Sequence, residues 1–105
     1  VASAGSNART RGKVWERQVA KDMGTKRSGP TGMNDADVIH DTLGIECKAY
    51  KRIAWRDADW AQTLRNAKGR VPILAMKELN TGRRIVFMEY EYFLSLHKEH
   101  NNGQH

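Results

Sequence analysis

The sequence predicts an α/β fold, α+β in its connectivity, with a mixed central β-sheet of about five strands flanked by helices. Three observations carry this expectation. Amphipathic helical patterns open the chain, divide it and close it; the apolar runs between them are short and alternate with the period of two that strands require; and glycine or proline stands at most boundaries. At 105 residues the chain suits one domain with a modest core and is too short for two. The organisation read from it is an arm over residues 1–8, one domain over 9–100 and a frayed tail over 101–105.

The opening VASAGSNA is small and polar, so it is read as flexible and given no part in the fold. A helix follows from Val14 to Met23 and stops at Gly24, a residue suited to a helix C-terminus. Lys26–Ser28 is expected to form a short first strand, and Gly29-Pro30-Thr31-Gly32 a turn or loop. Two adjacent strands then flank the turn His40–Gly44, one containing Asp37, Val38 and Ile39 and the other running from Ile45 towards Tyr50. A second helix is expected from about Ala54 to Lys68, ended by Gly69. Its Ala54, Ala58, Ala61 and Arg65 share a stripe beside Trp60, Leu64 and Ala67, which would lie closely on a sheet. Val71–Lys77 is a compact apolar strand with Pro72 near its start, where strands tolerate proline. Asn80-Thr81-Gly82 turns the chain into a hairpin partner, Arg84–Tyr90. The last helix, Glu91 to about Glu99, is expected to carry Phe93 and Leu96 inward.

Chemistry concentrates between Gly32 and Tyr50, where Asp37, Glu46 and Lys48 stand in the order Asp-x8-Glu-x-Lys. Alternation along a strand turns Glu46 and Lys48 to one face and Ile45, Cys47 and Ala49 to the other. Two carboxylates and an ammonium on one face can hold a hard divalent cation and a water against a phosphate. Asp35 competes with Asp37 for this role. Asp37 is preferred because it lies within a strand, whereas turn chemistry explains Asp35. On the first helix Glu16 shares the inward-leaning face with Val19, Ala20 and Met23, where an acid wants a reason; pairing with Lys13, three residues before it, is the plain one. Cys47 reads as a small buried hydrophobe rather than a nucleophile. His97 and His100 lack the second ligand pair that a zinc site needs.

This ordered set resembles the PD-(D/E)XK nuclease superfamily, and within it the Holliday junction resolvases of the archaeal and phage type. The matching segments cover most of the chain: GKVWERQVAKDM with Glu16, KRSGPTGMNDADVI with Asp37, GIECKAY with Glu46 and Lys48, and GRVPILAMKELNTGRRIVFMEY. The resemblance implies a restriction-endonuclease-like core and phosphodiester hydrolysis in which Asp37 and Glu46 bind Mg²⁺, or Mn²⁺ in its place. Glu16 would complete or orient that site, and Lys48 would orient or help deprotonate the attacking water. It further implies support from Gln62 near the lysine and a homodimer that cuts two symmetric strands; Arg27 and Ser28, at the edge of the first strand, read either as a grip on a neighbouring phosphate or as a solvated strand end. The sequence departs from the pattern in carrying an extra acid before Asp37, a long loop from Gly29 to Asn34, and an end soon after its last helix.

A formal charge of +6 suits a polyanionic partner. Arg9, Arg11, Lys13, Arg17, Arg27, Lys51, Arg52 and Arg56 are the residues expected to track phosphates. No base-reading motif is present, which favours recognition of DNA shape. One cysteine excludes an internal disulfide framework, and no apolar run is long enough to cross a bilayer, so a soluble cytoplasmic protein, of host or phage, is expected. The function expected is metal-dependent, structure-selective cleavage of four-way DNA junctions. A related nuclease acting on flaps, ends or duplex DNA would keep every residue named. A non-catalytic branched-DNA-binding module is the alternative of a different class.

Overall fold

The computed structural model describes residues 4–27 and 35–102, with side chains of the first helix from Thr10 onward. The first helix, α1 (Ala4–Asp22), starts within the segment expected to be a flexible arm and not at Val14. Nothing from Ala4 to Lys13 forbids a helix: there is no proline, and the poorest helix formers are the separated Gly5 and Gly12. At the other end Gly24 takes φ 72°, Gly24 N–H donates to Lys21 C=O at 3.0 Å and Thr25 N–H to Ala20 C=O at 2.8 Å. This is the paired bonding of a Schellman terminus, as Gly24 leads one to expect.

A mixed four-stranded sheet follows in the order β1-β2-β3-β4, comprising β1 (Val38–His40), β2 (Leu43–Tyr50), β3 (Val71–Glu78) and β4 (Arg84–Met88). β1–β2 and β3–β4 are antiparallel hairpins, and β2–β3 is parallel. A parallel pair requires a crossover, which α2 (Asp57–Ala67) supplies. The expected strand at Lys26–Ser28 reduces, among the described residues, to one bridge between Arg27 and Val38. Few positions separate the Schellman turn from Gly29-Pro30, and Pro30 has no N–H to donate, so a ladder has little room to grow. The loop from Gly29 to Asn34 lies outside the described residues, as does Ser28.

The β1–β2 turn is shorter than His40–Gly44. Asp41 takes φ 52°, a conformation aspartate tolerates, and His40 already pairs with Leu43. Gly44 is thereby freed from the turn and lies inside β2, where a Cβ would stand 3.0 Å from the Ala67 Cα. Its lack of a side chain lets the end of α2 sit against the strand.

The sheet has an apolar face and a polar one. Trp15, Val19 and Ala20 of α1 pack on Val38, Ile45, Cys47, Ile73 and Ala75, and the Trp15 indole donates to Ala75 C=O at 3.1 Å. Across the sheet, α2 buries Asp59, Thr63, Asn66 and Ala67. The stripe expected to face inward, through Ala58, Ala61 and Arg65, is instead exposed, and Leu64 is 48 % exposed. The reason lies in the partner strand: β2 presents Glu46 and Tyr50 to this helix, and they require polar neighbours. Trp55 and Trp60, 5.9 Å apart between ring centres, form a surface cluster in which Trp55 also meets Phe87 edge-on at 5.6 Å.

The last helix, α3 (Tyr90–Asn102), has no fully buried residue. Its contact with the core is through half-buried Tyr92, whereas Phe93 and Leu96, expected inward, are 54 % and 40 % exposed. The helix follows β4 at the rim of the sheet, where only one flank meets protein. No helix among the described residues is long and apolar enough to cross a membrane.

Candidate active site

β1 and β2 pair with Val38 opposite Ile45. Asp37, expected within a strand, lies instead in the bend one residue before the first register pair, and its carboxyl reaches β2 from there. Asp37 is anchored by its Oδ2, which accepts the Cys47 N–H at 2.9 Å. Asp35, its competitor in sequence, is occupied elsewhere: Lys68 Nζ lies 2.7 Å from its Oδ1, tying the approach to β1 to the end of α2.

Glu46 is 1 % exposed and accepts a hydrogen bond from Asn66 Nδ2 at 3.0 Å. Burial pushes its carboxyl up to about 7; the charge of Asp37 and a hydrogen-bond contact with it push the same way, while Asn66 and Lys48 oppose them. Two carboxyls so close resist carrying two negative charges together. Lys48, half-buried, follows on the same face.

Glu16 approaches from α1. Its carboxyl is raised above the ordinary range by burial first and by the charge of Asp37 second, against the influence of Arg27 and Lys13. Arg27 Nη1 stands 3.3 Å from Glu16 Oε2. The ion-pair partner of Glu16 is thus Arg27 and not Lys13, which acts on the carboxyl only through its charge. Among the described residues no three His, Cys, Asp or Glu side chains are gathered closely enough to hold a metal ion. Asp37 and Glu46 are the carboxylate pair, with Glu16 drawn towards Arg27.

Cys47 faces the apolar core, as alternation predicts. Burial raises its thiol far above the usual range, and the charges of Asp37, Glu16 and Glu46 add to the effect, so it is inert as a nucleophile. All three acids thus act on one point of β2.

Of the cations expected to meet phosphate, Arg11, Lys13 and Arg17 are exposed on α1, Lys51 and Arg52 are exposed after β2, and Arg27 and Arg56 are half-buried. The Arg9 side chain lies outside the described residues. Arg17 and Arg27 share an open cleft of about 370 Å³ with Lys21 and Lys26, two cations the sequence did not single out. Gln62 is half-buried beside the inward face of α2, but the amide that reaches Glu46 belongs to Asn66. One signal pointed to Asn66: Asp59, Thr63 and Asn66 are spaced as one helical stripe, and a buried strand acid needs such a stripe. His97 is exposed on α3 and its Nε2 lies 3.0 Å from Asn101 Nδ2, with no part in a metal cluster. Set against known proteins, the chain matches no family model, no curated protein and no solved structure.

Proposed function

We propose that this chain is a PD-(D/E)XK-type DNA endonuclease with a restriction-endonuclease-like core, dependent on Mg²⁺ or Mn²⁺ and selective for four-way junctions. The observation that carries the reading is the approach of the Asp37 carboxyl, held by the Cys47 N–H, to buried Glu46, while Lys48 follows Glu46 on the same face of β2. A carboxyl raised to about 7 by burial and a neighbouring acid is a group that gains from a cation.

The donor set fits a hard divalent ion, being two carboxylates anchored from outside by Cys47 N–H and Asn66 Nδ2. When bound, such an ion would supply Lewis-acid charge at a phosphate and acidify water. Asp37 and Glu46 would hold it; Glu16 would join them on release from Arg27. Lys48, as an ammonium, donates hydrogen bonds to the phosphate and orients the attacking water, offsetting charge that grows on the phosphate oxygens. Asn66 keeps Glu46 turned towards its pair. Arg17, Lys21, Lys26 and Arg27 line a path by which the flanking strand can approach.

Two symmetric cuts require two sites, and a homodimer supplies them. Exposed Trp55, Tyr90 and Phe93 around an open cavity form the surface proposed for that contact.

The decisive experiment is cleavage of an immobile four-way junction beside linear duplex, flap and single-stranded DNA of matched sequence in Mg²⁺, with folded Lys48→Ala as control. Paired symmetric nicks in the junction, absent from the variant, are the expected result. Preference for flaps, ends or duplex would move the substrate while keeping the residues. Junction binding without cutting in either metal would make the chain a branched-DNA-binding module.

A further inference from the structure

On the face of β2 that carries Glu46 and Lys48, the next side chain is Tyr50. The Arg56 guanidinium carbon lies 3.6 Å from the centre of the Tyr50 ring. The ring is fixed from its other end: its hydroxyl donates to Asp59 Oδ2 at 2.7 Å, and Asp59 is 7 % exposed. Burial and Asp59 together push the Tyr50 phenol up to about 12, so it stays a donor at neutral pH.

Arg56 has acids nearby in sequence, but they are otherwise engaged. Asp59 accepts the Tyr50 hydroxyl, and Asp57 Oδ1 accepts the Trp55 indole N–H at 2.6 Å. The Arg56 Nη1 atom is closed off from solvent with no hydrogen-bond partner, although the side chain as a whole is only half-buried. A partly desolvated cation without an anion is a costly arrangement, and it becomes favourable when an anion arrives.

The segment presenting this cation is rigidly held. Ile53 N–H donates to Glu78 Oε2 at 2.8 Å, Leu79 N–H to Tyr50 C=O at 2.7 Å, and Arg56 C=O accepts from Asp59 N–H at 3.1 Å as α2 begins. Little ordering remains to be done on binding. Lys51 and Arg52, both exposed, add positive charge to the same segment.

We infer that Arg56, held flat on Tyr50, binds a backbone phosphate of a nucleic-acid strand, beyond Lys48 as seen from Glu46. The inference rests on the nuclease reading for the position of the strand. Four residue steps along β2 take Glu46 to Tyr50, roughly 13 Å, so the phosphate lies close along the strand to the one cut. Arg56 acts as a positioning residue there. The planar guanidinium is what the site requires, because an ammonium cannot both stack and present a fork of donors.

The test is equilibrium binding of a fluorescent immobile four-way junction to the full chain in EDTA across a salt series, with melting curves for each variant and cleavage in Mg²⁺ run in parallel. Arg56→Gln should bind roughly tenfold more weakly or worse, and its slope of log affinity against log salt should fall by about one. Arg56→Lys should keep the slope and recover only part of the affinity. A folded Arg56→Gln with wild-type affinity and slope would overturn the inference; should that variant not fold, Arg56→Lys with full wild-type affinity would do so. Weakened binding by Arg56→Gln alongside a wild type that does not cut leaves the phosphate site standing and removes the nuclease reading. Unchanged binding alongside an active wild type does the reverse.

Discussion

Asn66 sets the state of Glu46. It is the amide that opposes the effect of burial on that carboxyl, and it does so at 3.0 Å from within the helix–sheet interface. Asn66→Ala should cost about 1–3 kcal/mol of stability by leaving a buried acceptor without its donor. With the amide gone the Glu46 carboxyl rises further, so the acidic limb of a pH–rate profile should move to higher pH. Denaturant melts and initial rates across pH check the two halves separately. Lys48→Ala should lower the cleavage rate on the order of 10²–10⁴-fold with little change in melting. At this scale Asp37, Glu46 and Lys48 were legible because strand alternation alone puts the last two on one face. The preference for Asp37 over Asp35 rested on a place within the strand that the structure does not give it, since Asp37 lies in the bend before β1; what separates the two is that Asp35 is tied to Lys68. Asn66 was not read, because a polar residue in a helix ordinarily marks the solvated side.

The elements join through a close approach at Gly44, where the end of α2 leaves no room for a side chain. Gly44→Ala should destabilise the fold by about 1–3 kcal/mol through overpacking, measured by chemical denaturation. Adding Ala67→Gly should recover only part of this, since the nearest atom is the Ala67 backbone and its methyl is second. The sequence reading placed Gly44 at the end of a turn, where glycine is also at home. The two readings differ because a tight turn at Asp41 moves the start of β2 forward. Element types and order were legible for both hairpins and all three helices from periodicity and breakers. The phases of α2 and α3 were not. Alanine and tryptophan on α2 suggested an apolar inward stripe, and the acid on the facing strand selected the polar one.

For the whole molecule, the folded value of Glu46 stands above the ordinary 4.5. Between about 4.5 and 7 the folded chain therefore holds more protons than the unfolded chain, and metal-free stability falls as pH rises through that window. Glu16 contributes in the same direction. Glu78 works the other way: accepting the Ile53 N–H and the Thr81 hydroxyl holds its carboxyl below the usual range, so its contribution is lost only as pH falls into acid. Thermal melts should show Glu46→Gln flattening the decline towards pH 7, and Mg²⁺ raising the melting temperature more at pH 8 than at pH 5. The outer aromatic surface gives a separate prediction. On the dimer proposed above, Tyr90→Glu with Phe93→Glu should move the sedimentation coefficient to that of a monomer without unfolding the chain, because neither side chain is buried.

By itself the sequence determined the alternation of helices and strands, the Gly24 terminus, the hairpin of β3 with β4 and the shared face of Glu46 and Lys48 on β2. These follow from local rules of period, turn and cap, which act within a few residues. Tertiary structure alone decided that α2 turns its polar side to the sheet, that Asn66 and not Gln62 meets Glu46, that Arg27 holds Glu16, and that Arg56 lies on Tyr50. Each of these joins side chains distant in the chain, and its outcome depends on which buried group would otherwise lack a partner.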